Sequence, residues 1–163
     1  METPSAPLTL RPEGPGDEAF CLALFASTRA AEIACLGGAP GVAEAFVRMQ
    51  HAAQQRGHRA QHPDAERAIV LRAGEPIGSI VIDRGSEAFV LVDVTLVPGE
   101  RGRGTGARLL GALLDEARAA GREVRLHVVR ENPARRLYAR LGFVSSGGDD
   151  LYEAMTWSPP GAG

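Results

Sequence analysis

Between residues 68 and 97 three apolar runs follow one another closely: Ala68-Ile69-Val70-Leu71, Ile77 to Ile82, and Phe89 to Val97. Short turns marked by Gly74-Glu75-Pro76 and Gly85-Ser86 separate them. Branched apolar side chains favour strands, and turns this short join only strands that run in opposite directions, because a parallel return needs a crossover of roughly a dozen residues. The segment therefore predicts a three-stranded antiparallel meander. It runs straight into Arg101-Gly102-Arg103-Gly104-Thr105-Gly106 and then into a helix reaching about Ala120. In that helix Leu109, Leu110, Leu113, Leu114 and Ala117 form one apolar stripe, which has to lie on the sheet.

The flanking segments fill out the architecture. Leu8-Thr9-Leu10-Arg11 alternates and ends at Pro12, as suits an edge strand. Gly14-Pro15-Gly16-Asp17 stops extension and offers Asp17 as an N-cap for a helix from Glu18 to about Leu36. After Gly37, Gly38, Pro40 and Gly41, a second helix is expected to bury Val42, Phe46, Met49 and Ala53, with Gln50, Gln54 and Arg56 on other faces. Val124 to Val129 reads as a strand, Asn132-Pro133 opens a short helix, and Gly142 ends it. Phe143-Val144 and Leu151 to Trp157 form a last strand pair around a Ser145–Asp150 loop. The order β-α-α-β-β-β-α-β-α-β-β describes an α/β domain of α+β type, with a mixed, mostly antiparallel sheet flanked by helices. At 163 residues it is read as a single domain, 1–163, with 1–6 and 159–163 as flexible tails.

Charge and rare residues narrow the chemistry. A net charge of -2 gives no broad positive field for nucleic acid or an anionic membrane. No apolar run approaches the roughly 20 residues of a membrane span, and Met1-Glu2-Thr3-Pro4 opens no secretory signal, so a cytoplasmic location is expected. All 18 basic residues are arginine, which removes lysine Schiff-base and P-loop chemistry. Cys21 falls on a helical stripe with Phe20 and Leu24 and is expected to be buried; with Cys35 it makes neither a disulfide scaffold nor a zinc cluster. His58 and His62 have ligand-like spacing but no accompanying glutamate or third ligand, so they are taken as surface residues and no metal is expected.

The glycine-rich loop points to an anion. Glycines let successive amides turn inward, and the helix behind them adds unpaired N–H groups and the positive end of its dipole. A pyrophosphate suits such a cradle, with Arg101 and Arg103 to neutralise charge. Gly102-x-Gly104-x-x-Ala107 also fits a dinucleotide fingerprint. That motif should open a mainly parallel sheet and supply an acid about 20 residues on; here it follows an antiparallel meander, and Glu123 falls at the start of the next strand.

Arg101-x-x-Gly104-x-Gly106, preceded by Leu96-Val97-Pro98, resembles the coenzyme A signature of the GNAT acetyltransferases. Asn132-x-x-Ala134-x-x-x-Tyr138-x-x-x-Gly142-Phe143 resembles that family's other motif, so the likeness covers roughly residues 66 to 157. It implies a GNAT-like fold and an N-acetyltransferase moving an acetyl group from acetyl-coenzyme A to a primary amine, either a small molecule or a protein N-terminus. A non-catalytic coenzyme A sensor is the alternative, and a nicotinamide dinucleotide domain a more distant one. The resemblance assigns pantetheine to main-chain groups of Leu96 and Val97, and pyrophosphate to amides of Arg101, Gly102, Arg103, Gly104, Thr105 and Gly106. It makes Tyr138 the donor to the leaving thiolate. Asn132 is either a cofactor contact or simply the helix cap. Asp93, which interrupts an apolar strand, is a candidate base or a residue satisfying a polar neighbour. Arg29 and Glu32, at i, i+3, are either a solvated ion pair or, with Gln50, substrate contacts on the first helices. The sequence does not set the oligomeric state; a homodimer is compatible with it.

Overall fold

The computed structural model describes residues 5–161. Residues 1–4 and 162–163, the outer parts of the expected tails, lie outside the described residues. Ser5 and Ala6 are tied down: Arg108 donates to Ser5 Oγ at 2.9 Å and Arg72 to the Ala6 carbonyl at 3.3 Å. Pro159 is buried.

The chain builds a seven-stranded sheet. β1 (Leu8–Pro12) is an edge strand antiparallel to β2 (Glu66–Arg72), which opens the meander completed by β3 (Glu75–Arg84) and β4 (Ala88–Leu96). β5 (Glu123–Val129) joins β4 in parallel. β6 (Val144–Gly148) and β7 (Tyr152–Trp157) complete the order β1-β2-β3-β4-β5-β7-β6. The mixed, mostly antiparallel sheet of the sequence reading is the observed one.

One face carries the main core. α4 (Thr105–Ala120) buries Leu109, Leu110, Leu113, Leu114 and Ala117 against Val70, Ile80, Ile82, Phe89, Leu91, Val124 and Leu126. A buried leucine stabilises by about 1.5–3 kcal/mol, so this stripe anchors the helix and the loop before it. The short α5 (Ala134–Arg140) joins the same core through Tyr138.

The opposite face is covered by a pair of helices that pack on each other, and it departs from expectation. The helix expected to reach Leu36 ends sooner: α1 is Glu18–Ser27 and α2 is Ala30–Ala34. At the break Ser27 and Thr28 turn their hydroxyls onto the carbonyls of Leu24 and Phe25, at 2.6 and 2.7 Å, and so compete with the helical ladder. Asp17 precedes α1 without capping it; its carboxylate accepts two hydrogen bonds from Arg11 and one from the Gly14 amide, which hold it at a pKa of about 2.

α3 (Val42–Gln61) turns a different face inward from the one expected. Val42, Met49 and Ala53 are exposed and Phe46 is half-buried, whereas Val47 is buried and Gln50, His51, Gln54 and His58 are half-buried. Partners compensate this polar face: His51 meets Gln55 at 3.2 Å and the Phe25 ring edge at 5.3 Å, and His62 Nδ1 meets Asp83 at 3.0 Å. His58 and His62 are therefore half-buried walls of a cavity of about 280 Å³, shared with Arg59 and Arg67, rather than surface histidines. Cys21 is buried with its thiol on Glu13, and Cys35 is exposed. β6 extends to Gly148, so the last loop contracts to a turn in which Asp149 accepts the amides of Leu151 and Tyr152. Among the described residues no helix is long and apolar enough to cross a membrane, and no cluster of three or more His, Cys, Asp or Glu could hold a metal.

Gly78 shows how closely the meander is packed. A Cβ there would sit 2.5 Å from the Thr95 carbonyl oxygen and 2.8 Å from Leu96 Cδ2. Gly78→Ala is expected to cost about 1–3 kcal/mol by overpacking, read as a lowered urea midpoint with an unchanged m value.

Candidate active site

The register of β4 creates the site. Ala88 to Leu91 pair with Glu123 to Leu126, and there the pairing with β5 ends. At the same level β4 gains an extra residue: Val81 opposes Asp93 and Ile82 opposes Leu91, leaving Val92 in a bulge. Above it, Val97 donates to the Ile77 carbonyl at 2.8 Å, so Val97 and Thr95 turn their main chain towards β3. Alternation then turns the N–H and C=O groups of Val94 and Leu96 the other way, into the gap between β4 and β5.

The loop beyond β4 closes the top of this gap. Gly102 and Gly104 adopt φ of 70° and 81°, which L side chains rarely tolerate, and α4 starts at Thr105. Among the described residues, the six amides from Gly102 to Ala107 have no hydrogen-bond acceptor. Six consecutive unpaired donors, ending in the first turn of a 16-residue helix, are the kind of donor set that an anion cradle requires.

The loop is held from below by a network the sequence reading missed. Thr105 is 1% exposed; its hydroxyl donates to Glu100 at 2.8 Å and accepts from Arg72 at 2.9 Å, while Arg72 also grips Glu100 at 3.0 Å. The Arg72 guanidinium and the Thr105 hydroxyl hold the Glu100 carboxyl below its ordinary pKa. Thr105 can therefore offer a ligand only its amide. Arg72 lies a whole meander away in sequence, and no local pattern announces it.

Other expected residues are redirected as well. Both main-chain groups of Val97 are spent, its N–H on Ile77 and its carbonyl on the Glu100 amide at 3.0 Å, so Leu96 and Val94 supply the edge of the gap. Arg101 does not point into the cradle. Its Nε donates to the Leu96 carbonyl at 3.0 Å and a terminal nitrogen to Ser27 Oγ at 2.9 Å, lacing the loop to the end of α1. Arg103 donates to the Gly99 carbonyl at 3.2 Å. Asn132 is exposed and caps α5, its Oδ1 accepting the Ala134 amide at 2.9 Å.

Tyr138 is 7% exposed and packs edge-on against Phe143, and its hydroxyl makes no hydrogen bond among the described residues. Burial, assisted by the Asp93 carboxylate, pushes the phenol up to about 12. Asp93 lies on the helix-pair face of the sheet, in register with Val81 and Arg67, and accepts the Thr95 hydroxyl at 3.4 Å. Burial raises its pKa; the Thr95 hydroxyl and the nearby Arg67 and Arg29 oppose that rise. Arg29 sits at the α1–α2 break with its guanidinium 4.7 Å above the Phe25 ring, where it stacks instead of pairing with Glu32. Glu32 is exposed on α2 and is not drawn into this group, whereas Gln50 lies on the inner face of α3 with its Oε1 buried and unpartnered.

Residues 39–143 match the model of the acetyltransferase (GNAT) family. The chain belongs to the GNAT acetyltransferases. Among solved structures, the PaiA N-acetyltransferase of Thermoplasma acidophilum, determined in complex with coenzyme A, superposes with a TM-score of 0.69 at 17% identity, over 93% of this chain and 99% of that one. A GCN5-related N-acetyltransferase of Rhodopseudomonas palustris gives 0.64 at 22% identity, over 97% and 99%. A ribosomal-protein alanine N-acetyltransferase of Escherichia coli gives 0.60 at 20% identity, over 96% and 97%. No curated protein matches the chain by sequence. These likenesses fix the fold, and the GNAT assignment accords with a cradle that follows antiparallel strands rather than opening a parallel dinucleotide sheet.

Removing Glu100 would leave the buried Thr105 hydroxyl and Arg72 without their shared acceptor. Glu100→Ala is expected to weaken coenzyme A binding about tenfold or more, measured by calorimetry, with a smaller loss for Glu100→Gln.

Proposed function

We propose that this acetyltransferase moves the acetyl group of acetyl-coenzyme A onto a primary amine that approaches from the face covered by α1 and α3. The observation that carries this reading is the conjunction of six free amides with a gap along which β5 offers no partner to the main chain of Val94 and Leu96. A pyrophosphate answers the first, and an extended arm of amides the second.

Bound there, acetyl-coenzyme A supplies a thioester carbonyl, and the residues of the chain do the rest. The amides from Gly102 to Ala107 hold the pyrophosphate; Arg101 releases Leu96 and turns to the phosphates, freeing that carbonyl for pantetheine. The gap-facing N–H groups of Val94 and Leu96 are the donors available to the carbonyl oxygen as it gains charge. The amine nitrogen bonds to the carbonyl carbon, the carbon–sulfur bond breaks with its electrons on sulfur, and the nitrogen's proton passes to Asp93. A carboxylate with a raised pKa is a better base than an ordinary one, and Asp93 shares its electrostatic surroundings with Tyr138.

The Tyr138 phenol, near 12, keeps its proton throughout the working range. Full transfer to a thiolate of ordinary basicity, near about 8.5, runs uphill, so Tyr138 acts by hydrogen bonding to the sulfur as it leaves. Tyr138→Phe is expected to lower kcat by about 10- to 100-fold with coenzyme A affinity within a factor of about two, measured by thiol release and calorimetry.

Asp93→Asn tests the base. Turnover should fall about 10²- to 10⁴-fold, and the acid limb of the wild-type pH–rate profile should disappear. Stability moves the opposite way. The folded state holds the Asp93 proton to higher pH than the unfolded chain does, so its contribution is present at low pH and lost as pH rises. Asp93→Asn should therefore raise the Tm near neutral pH and leave it little changed in acid. The parent reading is checked by thermal shift against coenzyme A and NAD: stabilisation by coenzyme A supports it, and stabilisation by NAD alone overturns it.

A further inference from the structure

We propose that the amine acceptor carries its own carboxylate, as an α-amino acid does, with Arg29 gripping the carboxylate while Gln50 Oε1 and Asp93 receive the amine N–H groups. This names the acceptor class of the acyl transfer proposed above and rests on that reading.

Contacts across the helix pair bring these groups to one level. Arg101 joins the Leu96 carbonyl to Ser27 at the end of α1. Two residues before Ser27, the Phe25 ring carries Arg29 on one side and meets the His51 ring at 5.3 Å. Gln50 adjoins His51 on α3. These contacts set Arg29 near the Leu96 end of β4, close enough for its charge to act on Asp93 three residues earlier on that strand, with Gln50 beside the His51 that meets the same Phe25 ring.

The chemistry at that level is asymmetric. Arg67 is already paired with Glu13, and Arg101 has the phosphates to meet. Arg29 forms no ion pair among the described residues; its contacts are the Phe25 face and a 3.4 Å hydrogen bond to Thr28. A guanidinium fixed by an aromatic ring beneath it, with its edge open, is suited to bidentate recognition of a carboxylate. Gln50 Oε1 is buried without a donor, an unfavourable state that an arriving donor would relieve. One free cation beside two hydrogen-bond acceptors is the complement of an amine with an anionic neighbour. A protein N-terminus, whose own carboxyl is an amide, would leave Arg29 unanswered.

The test compares α-amino acids with their carboxamides and with the corresponding decarboxylated amines, measuring thiol release from acetyl-coenzyme A. The free acids should show kcat/KM about 10- to 100-fold higher, as expected for a charge-assisted contact. Arg29→Ala should collapse this preference, Arg29→Lys should restore part of it, and Gln50→Leu should raise KM for acids and amides alike. Retained stabilisation by coenzyme A would show that each variant is folded. Equal rates for acids and amides, turnover only of peptide N-termini, or an unchanged preference in Arg29→Ala would overturn the acceptor class and leave acyl transfer standing. No turnover of any amine by a protein that coenzyme A stabilises would overturn both.

Discussion

The parting of β4 from β5 above Leu91 and Leu126 is the constraint on which the rest of this molecule turns. A fully paired sheet would satisfy Val94 and Leu96 with the neighbouring strand and leave no slot for a ligand. The bulge at Val92 falls where pairing stops, and a bulge bends its strand and increases local twist. β5 meanwhile keeps its ladder with β7 as far as Val129, so one edge of the gap is held while the other turns away. Unpaired main-chain groups are costly when buried. Their display at the mouth of a cradle is a structural debt that a bound amide chain would settle.

Two scaffolds keep the gap open and the cradle in place. On one face the leucine stripe of α4 fixes the start of that helix, and the Arg72–Glu100–Thr105 network fixes the turn before it. Each of the three side chains bonds to both of the others, and a buried polar cluster closed in this way rigidifies its surroundings. On the other face the α1–α3 pair is softer, with Val47 as the one buried apolar residue of α3 and glutamines and histidines along the rest of its inner side. This division of packing leaves a rigid apolar side beneath the glycine-rich loop and a more polar side opposite it.

How far this was legible in the sequence depended on the range of the interactions. The meander, the α4 stripe and the cap at Asn132 are encoded by neighbours within a few residues, and the sequence reading located each to within a few positions. Features set by distant partners were not visible. Arg72 meets Thr105 across 33 positions, and the inner face of α3 is chosen by Phe25, Glu13 and Arg67 rather than by its own apolar spacing, which pointed to Met49 and Val42. The bulge did leave a trace that went unread. Phe89, Leu91, Val94 and Leu96 all face the α4 core, and the interval of three between Leu91 and Val94 breaks a period of two where Val92 is extruded. Asp93 was picked out by its residue type, yet the reason it faces the helix pair is that single slipped residue.

The slip also explains why the site is placed where the fold can least afford it on stability grounds. Without the extra residue, strict alternation from Leu91 would turn position 93 towards the α4 core, among Ile80, Ile82 and Leu110, where a carboxylate would have no donor. With it, Asp93 reaches Thr95 and the fields of Arg67 and Arg29, and its ionised form is still disfavoured by burial. Tyr138 carries the same mark, a phenol held far from its ordinary pKa by burial beside that carboxylate. Gln50, with its buried and unanswered oxygen, is a third. A chain selected for stability alone would replace these with apolar or paired groups; perturbed groups of this kind, two of them close enough to shift one another, mark the part of a fold where stability yields to chemistry.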